Sequence, residues 1–226
     1  MLDVLYEDNH LLVVNKPALL PTMGVAEDRS SLLAVAKQYV RRKYNKPGNV
    51  YLGIVSRLDA PVTGVVLIAR TSKAAGRLAE QFRDRQVEKT YWALVEGRAA
   101  VEDQKLVDYM RKDERHRRMH IAAKDAPGAQ LAELSFRSLV TPRVSPKSAV
   151  SLIEVTPLTG RKHQIRVQLS QAGLPIVGDR KYGGSVQFSP GIALHSRRLV
   201  VDHPVSKMQI VFETPPPHSW QRFLEH

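Results

Sequence analysis

The sequence contains no cysteine, which excludes disulfides, thiolate metal sites and cysteine nucleophiles. No stretch approaches the roughly 18 apolar residues that a membrane-spanning helix needs. The opening residues, Met1 to Asp8, are acidic and lack the basic flank of a secretory signal. A soluble, cytoplasmic protein is therefore expected. Glycine-rich phosphate loops of the P-loop or dinucleotide type are absent. Acidic residues are the minority charge, 22 Asp plus Glu against 34 Lys plus Arg, a net charge of +12. A surplus of that size points to a polyanionic partner, nucleic acid first and an anionic membrane surface second. The 226 residues and 43% apolar content suffice for a substantial core, as one large domain or two small ones.

The chain is organised around Ser56-Arg57-Leu58-Asp59-Ala60-Pro61-Val62-Thr63-Gly64. Two short, β-branched apolar runs flank it, Val50 to Val55 and Val65 to Ala69, and each reads as a buried strand. Pro61 and Gly64 mark a turn or bulge between them. In extended backbone, residues two apart share a face, so Arg57 and Asp59 can project into the same space. On these residues alone Asp59 reads as a turn aspartate bonding nearby amides.

Around this centre the chain reads as short strands and a few helices. Val4 to Val14 suggests a hairpin turning at Glu7-Asp8-Asn9-His10, and Asn15-Lys16-Pro17 ends its second strand. Ser30-Ser31 can cap a helix to about Tyr44, and Thr71-Ser72 a second helix to about Arg85. The basic end of the first, Arg41 to Lys46, opposes the helix macrodipole, with RNA contact a further use. Val87 to Gly97 reads as a strand with Lys89, Tyr91 and Ala93 on one face. Leu131 to Val140 and Ala149 to Val155 read as strands joined by a loop over 141–148 that contains two prolines. A helix is expected from about Gly160 to Gly173, with His163 and Arg166 three apart on one side as surface charges. A last strand is expected near Met208 to Glu213.

The densest charge run is Arg111-Lys112-Asp113-Glu114-Arg115-His116-Arg117-Arg118-Met119-His120. Its arginines would attract phosphates and make binding salt-dependent; the simpler reading is a solvated loop. His163, His195 and His203 match no common metal-ligand spacing. An aspartyl phosphatase is disfavoured, because Ala60-Pro61-Val62 supplies no second acid to hold Mg²⁺.

Several of these segments together resemble the RluA-type pseudouridine synthases. Arg57-Leu58-Asp59 with Thr63-Gly64 is similar to that family's active-site signature, with Ser56 where the family has histidine and Val62-Thr63 where it has Thr-Ser. The opening Glu7-Asp8 with Leu11 to Pro17, the run Lys89-Thr90-Tyr91 to Gly97, and Thr159-Gly160-Arg161-Lys162-His163-Gln164-Ile165-Arg166-Val167 resemble further family motifs in order. The likeness continues through Pro175 to Gly183 and Asp202-His203-Pro204. It implies an RNA-modifying isomerase with Asp59 as the catalytic carboxylate, Tyr91 stacking on the target uracil and Arg166 pairing with Asp59. It implies substrate contacts at Arg57, Lys16, Arg161, His163, Arg111, Arg115, Arg117 and Arg118. Gln168 stands where the family often has histidine, on what would be the outer side of its helix.

The partner implied is a stem-loop of ribosomal or transfer RNA, with neither DNA nor membrane, no metal or other cofactor, and a monomeric chain. A catalytically inactive RNA-binding protein of the same fold is the alternative. The strand-rich order supports an α+β class. The resemblance supplies the architecture: a single catalytic domain over 1–226 on a mixed, mainly antiparallel sheet, with helices and loops flanking a basic cleft. Because the match begins near Asp3, no amino-terminal RNA-binding domain is expected.

Overall fold

The computed structural model describes residues 2–24, 26, 29–116, 118–145 and 148–224. The chain forms two compact units, the first from 1–89 and 196–217 and the second from 90–195 and 218–226. Both are antiparallel sheets dressed with few helices, as the α+β reading expects.

In the first unit β1 (Asp3–Glu7) and β2 (Leu11–Lys16) form the expected hairpin. Asp8 makes the turn: its Oδ1 accepts the N–H of His10 at 2.7 Å and of Leu11 at 2.6 Å. The Asp side chain thereby stands in for a backbone acceptor in the turn. Next come α1 (Leu32–Lys43), β3 (Gly53–Ile54), β4 (Thr63–Ala69) and α2 (Ser72–Arg83). Both helices start at the hydroxyl read from the sequence: Ser31 Oγ accepts the Ala34 N–H and Thr71 Oγ1 the Ala74 N–H.

The strand order is β1-β2-β4-β10, with β3 on β4 and β11 (Gln209–Glu213) on β10 (Leu194–Asp202). All seven residues of β4 are buried, which is why its sequence is a continuous apolar run instead of an alternating one. Leu11, Val13, Val65, Leu67 and Ala69 pack with Ala74 and Leu78 of α2 and with Leu199, Val201 and Phe212. By alternation Leu12, Val14, Val66 and Ile68 turn to the opposite face, and they too are fully buried.

The strand expected over Val50 to Val55 shrinks to Gly53 and Ile54, which pair with Ala69 and Ile68. The remainder is held by burial of Val50 and Leu52. Part of the basic cluster closing α1 is structural. Glu7 accepts hydrogen bonds from Tyr39 at 2.8 Å and Tyr44 at 2.8 Å, and its carboxylate meets Lys43 at 2.7 Å and Arg70 at 3.0 Å.

The second unit holds β5 (Glu88–Glu96, from Thr90 onward), β6 (Gln104–Asp113), β7 (Arg118–Ala122), β8 (Gln130–Ser145), β9 (Ser148–Pro157) and α3 (Gln164–Gln171). The order is β5-β9-β8-β6-β7, with β7 at the edge. The loop expected over 141–148 is mostly strand. Pairing runs to Ser145 against Ser148, with register shifts between Ser138 and Val140 and between Val140 and Arg143. Pro142 falls in the second shift, where a residue without an N–H costs no ladder bond. The basic run 111–120 is likewise a hairpin: Arg111 pairs with His120 and Asp113 with Arg118. Asp113 closes its turn by accepting the His116 N–H at 3.0 Å. Against the sheet, Val167 of α3 packs with Met110, Ala132 and Tyr182. None of the described helices is long and apolar enough to cross a membrane.

Gly64 ends the central turn with φ +112°, and a Cβ there would sit 2.7 Å from the Ser196 nitrogen and 2.8 Å from its carbonyl carbon. Backbone strain and a backbone clash coincide at this one position. Gly64→Ala should therefore lower unfolding stability by roughly 3 kcal/mol or more. A urea midpoint within error of wild type would refute the close approach.

Candidate active site

The Asp59 segment follows β3, bends at Ser56, turns at Ala60-Pro61 and enters β4. Leu58 is buried, Arg57 is exposed and Asp59 is partly exposed. Three anchors fix the turn. The Asp59 carbonyl accepts the Val62 N–H at 3.0 Å. Thr22 Oγ1 donates to the Leu58 carbonyl at 2.7 Å and accepts the Leu58 N–H at 3.2 Å. Lys16 Nζ donates to the carbonyls of Ala60 at 3.0 Å, Pro17 at 2.8 Å and Leu20 at 2.8 Å.

Lys16 has no exposed surface, and an ammonium has three N–H donors. Three carbonyls satisfy all of them, and through Ala60 Lys16 holds the Asp59 turn. Burial pushes its ammonium down from 10.5 to about 8, and the Asp59 charge pulls it partly back up. Nothing in the sequence singled out Thr22, which lies 36 residues from Leu58.

The remaining sequence-predicted residues lie in the second unit. Tyr91 is on β5 opposite Val155, partly buried. Arg161 donates Nε to the Leu131 carbonyl at 2.9 Å. α3 begins later than expected, at Gln164, because His163 takes a left-handed conformation, φ 55° and ψ 18°. The His163 ring then meets Tyr182, Nδ1 to Oη 2.6 Å. Gln164 fastens the same turn: its Oε1 accepts from Thr159 Oγ1 at 2.8 Å and from the Arg161 N–H at 2.9 Å.

Arg166 is not a surface charge: it is 5% exposed. Its Nε and Nη2 form a fork with Asp179, at 2.7 and 2.9 Å. The guanidinium also stacks 4.9 Å from the centre of the Tyr182 ring. A planar fork on a carboxylate, with an aromatic face behind it, holds an arginine in one orientation. Gln168 points inward as well, donating to Asp108 Oδ2 at 2.7 Å and to the Ala132 carbonyl at 3.2 Å.

Asp179 and Tyr182 were visible in the sequence only as parts of the Pro175 to Gly183 likeness, without a role. Arg111 and Arg118 lie exposed on β6 and β7, and Arg115 is exposed in the turn between them. Arg117 lies outside the described residues.

The buried ammonium of Lys16 makes stability depend on pH. Its folded value, about 8, lies below its ordinary 10.5, so between those values the unfolded chain binds more protons and the fold gains as pH rises. Unfolding stability of the wild type should carry a rising contribution from pH 8 to 10.5 on the order of 3 kcal/mol. Lys16→Met should flatten that rise; an identical pH slope in both proteins would contradict the assignment.

Comparison with known proteins shows the family to which the chain is similar. Residues 10–171 match the RNA pseudouridylate synthase family. A protein of Pectobacterium carotovorum named tRNA pseudouridine synthase C is 33% identical over 98% of this chain, which spans 61% of that relative's length. A Zymomonas mobilis protein named ribosomal large subunit pseudouridine synthase D is 32% identical over 97% of this chain and 71% of its own. The structure titled Human RNA Pseudouridylate Synthase Domain Containing 4 has a TM-score of 0.76 at 25% identity, covering 98% of this chain and 93% of its own. With residues 10–171 matched and relatives of about a third identity over nearly the whole chain, this chain belongs to the RNA pseudouridylate synthase family.

Proposed function

We propose that this protein isomerises uridine to pseudouridine in transfer or ribosomal RNA, with Asp59 as the nucleophile or base. The observation that carries the reading is the Asp59 turn itself. The backbone on both sides of Asp59, held at Ala60 by a buried lysine and at Leu58 by a threonine from a distant segment, is far more constrained than that of an ordinary turn aspartate. Preorganisation of that kind is what a reacting group needs.

The reaction breaks the bond from C1′ to N1, turns the uracil, and joins C1′ to C5. The hydrogen leaves C5 as a proton and N1 gains one, so the product is an isomer. A carboxylate can serve as a covalent nucleophile in such chemistry. In this proposal Asp59 attacks the base or C1′, or takes the C2′ proton. Arg166, forked by Asp179, is the cation this reading assigns to the Asp59 carboxylate. Tyr91 stacks on the uracil, a flat platform for a base taken out of its stack. Arg57 fills the gap left by the flipped nucleotide or grips a neighbouring phosphate. His163 and Arg161 contact the substrate beside Arg166, and Lys16 supports Asp59 from below.

Extruding a base costs a few kcal/mol and least where it is already unstacked, which favours a loop of a stem-loop as the target. The names of the relatives divide between transfer RNA and large-subunit ribosomal RNA, and both offer such loops. The β6–β7 hairpin, with Arg111, Arg115 and Arg118 exposed on it, supplies a basic surface for their phosphates.

Tritium release from RNA labelled at uracil C5 tests the reaction directly. Wild type should release tritium from total transfer and ribosomal RNA, and Asp59→Ala should lower the rate by at least about 10³-fold. Equal release by both would remove Asp59 from the mechanism. Salt-sensitive RNA binding without release by wild type would favour a binding protein of the same fold. For the hairpin, Arg111→Ala should weaken RNA binding and reduce the slope of log K against log salt by about 0.7–0.9. An unchanged slope would place Arg111 away from the phosphates.

A further inference from the structure

Tyr182 occupies a position that the proposed chemistry does not require of a core aromatic. Its ring is 8% exposed and packs among Met110, Ala132 and Val167, with Met119 and Ile121 of β7 against them. The ring face carries the Arg166 guanidinium, 4.9 Å from its centre. Its hydroxyl accepts the N–H of Met119 at 3.1 Å and lies 2.6 Å from His163 Nδ1. Its carbonyl accepts from Ser170 Oγ at 2.6 Å, which ties the same residue to the far end of α3.

The Met119 bond is informative because β7 is the edge strand of this unit. An edge strand has a row of N–H groups with no strand beside them, and Tyr182 takes one of these. Met119 follows Arg118, whose side chain is 51% exposed. The strand that shows the Arg118 guanidinium to solvent therefore gives the next N–H to the hydroxyl of the tyrosine whose ring faces Arg166. At its other end the hydroxyl meets His163, a non-glycine residue with φ 55°. A left-handed residue of this kind persists where its surroundings hold it, and such positions cluster at functional sites.

We infer that Tyr182 is a positioning residue that ties the basic β6–β7 hairpin to Arg166, so that RNA seated on the hairpin steadies the arginine. The inference rests on the reading of Arg166 as a participant in uridine isomerisation. It assigns Tyr182 no contact with substrate. RNA phosphates bound at Arg118 restrain β7, β7 restrains the Tyr182 hydroxyl through Met119, and the ring restrains the guanidinium stacked on it. His163 closes the same linkage from the start of α3.

Tyr182→Phe keeps the ring and its place against Arg166 while removing the hydroxyl contacts to Met119 and His163. In the tritium-release assay with C5-labelled transfer and ribosomal RNA, it should lower kcat about tenfold. The Kd for RNA should change less than about twofold, because no phosphate contact is lost. The decisive measurement is the pair with Arg118→Ala. In the wild-type background Arg118→Ala should weaken binding and also lower kcat; in the Tyr182→Phe background it should weaken binding alone. A purely structural tyrosine would leave the effect of Arg118→Ala on kcat the same in both backgrounds, and that result overturns the inference. So does an unchanged kcat in Tyr182→Phe when Arg166→Lys abolishes turnover. A fully active Arg166→Lys would instead remove the reading of Arg166 on which the inference stands. Should Tyr182→Phe melt below the assay temperature, both backgrounds are assayed below its melting point, where the same non-additivity with Arg118→Ala is expected.

Discussion

The first unit depends on one buried cation. Lys16 ends β2, has no exposed surface, and spends its three N–H groups on the carbonyls of Pro17, Leu20 and Ala60. Burying an ammonium is expensive unless every donor is satisfied, so these carbonyls cannot drift without a large cost. Two belong to the chain just after β2 and the third to the residue after Asp59. A local strand end and a turn 44 residues away thus become one rigid body. Thr22 adds a second tie within the same loop, and Gly64 lets the turn close against Ser196, where no side chain would fit.

In the second unit the corresponding constraint is the Arg166–Asp179 pair. Both side chains are nearly excluded from solvent, at 6% and 2% exposure. Removing either partner of such a pair strands the other charge, a loss of about 3–5 kcal/mol. An arginine in this setting keeps its place for structural reasons as well as chemical ones. Its stack on Tyr182 and that residue's bonds to Met119 and His163 extend the constraint into β7 and the start of α3. Each unit has therefore built a charged side chain into its core and used it to fix a residue assigned to the reaction, Asp59 in one and Arg166 in the other.

Local features of the fold were legible where neighbouring residues decide them. The turn at Asp8, the caps at Ser31 and Thr71, and the buried run of β4 follow from side-chain chemistry within a few positions. Legibility failed where a distant partner decides. Val50 to Val55 has the composition of a strand, yet only two of its residues find a ladder partner on β4. The two prolines near 141–148 suggested a loop, yet the β8–β9 pairing absorbs Pro142 in a register shift. The basic run 111–120 read as a loop because its charges hide a hairpin whose register is set by pairing. His163 was expected inside α3; a left-handed backbone and the Tyr182 hydroxyl place it just outside.

The sequence by itself determined the class and the candidate chemistry. Its charge pointed to a polyanion, and its strand-rich pattern to α+β. The segments around Lys16, Asp59, Tyr91 and Arg166 carried the family likeness through their residue types and local spacing. Only the tertiary structure decided what holds those residues. That Lys16 faces three carbonyls, that Thr22 grips Leu58, and that Arg166 is forked by Asp179 and stacked on Tyr182 are consequences of segments meeting across the fold. The physical reason is that a hydrogen bond between distant segments depends on both ends, while the local pattern at either end is compatible with many partners. Burial then makes the choice among those partners strict, because an unsatisfied charge in the interior costs more than the chain can spare.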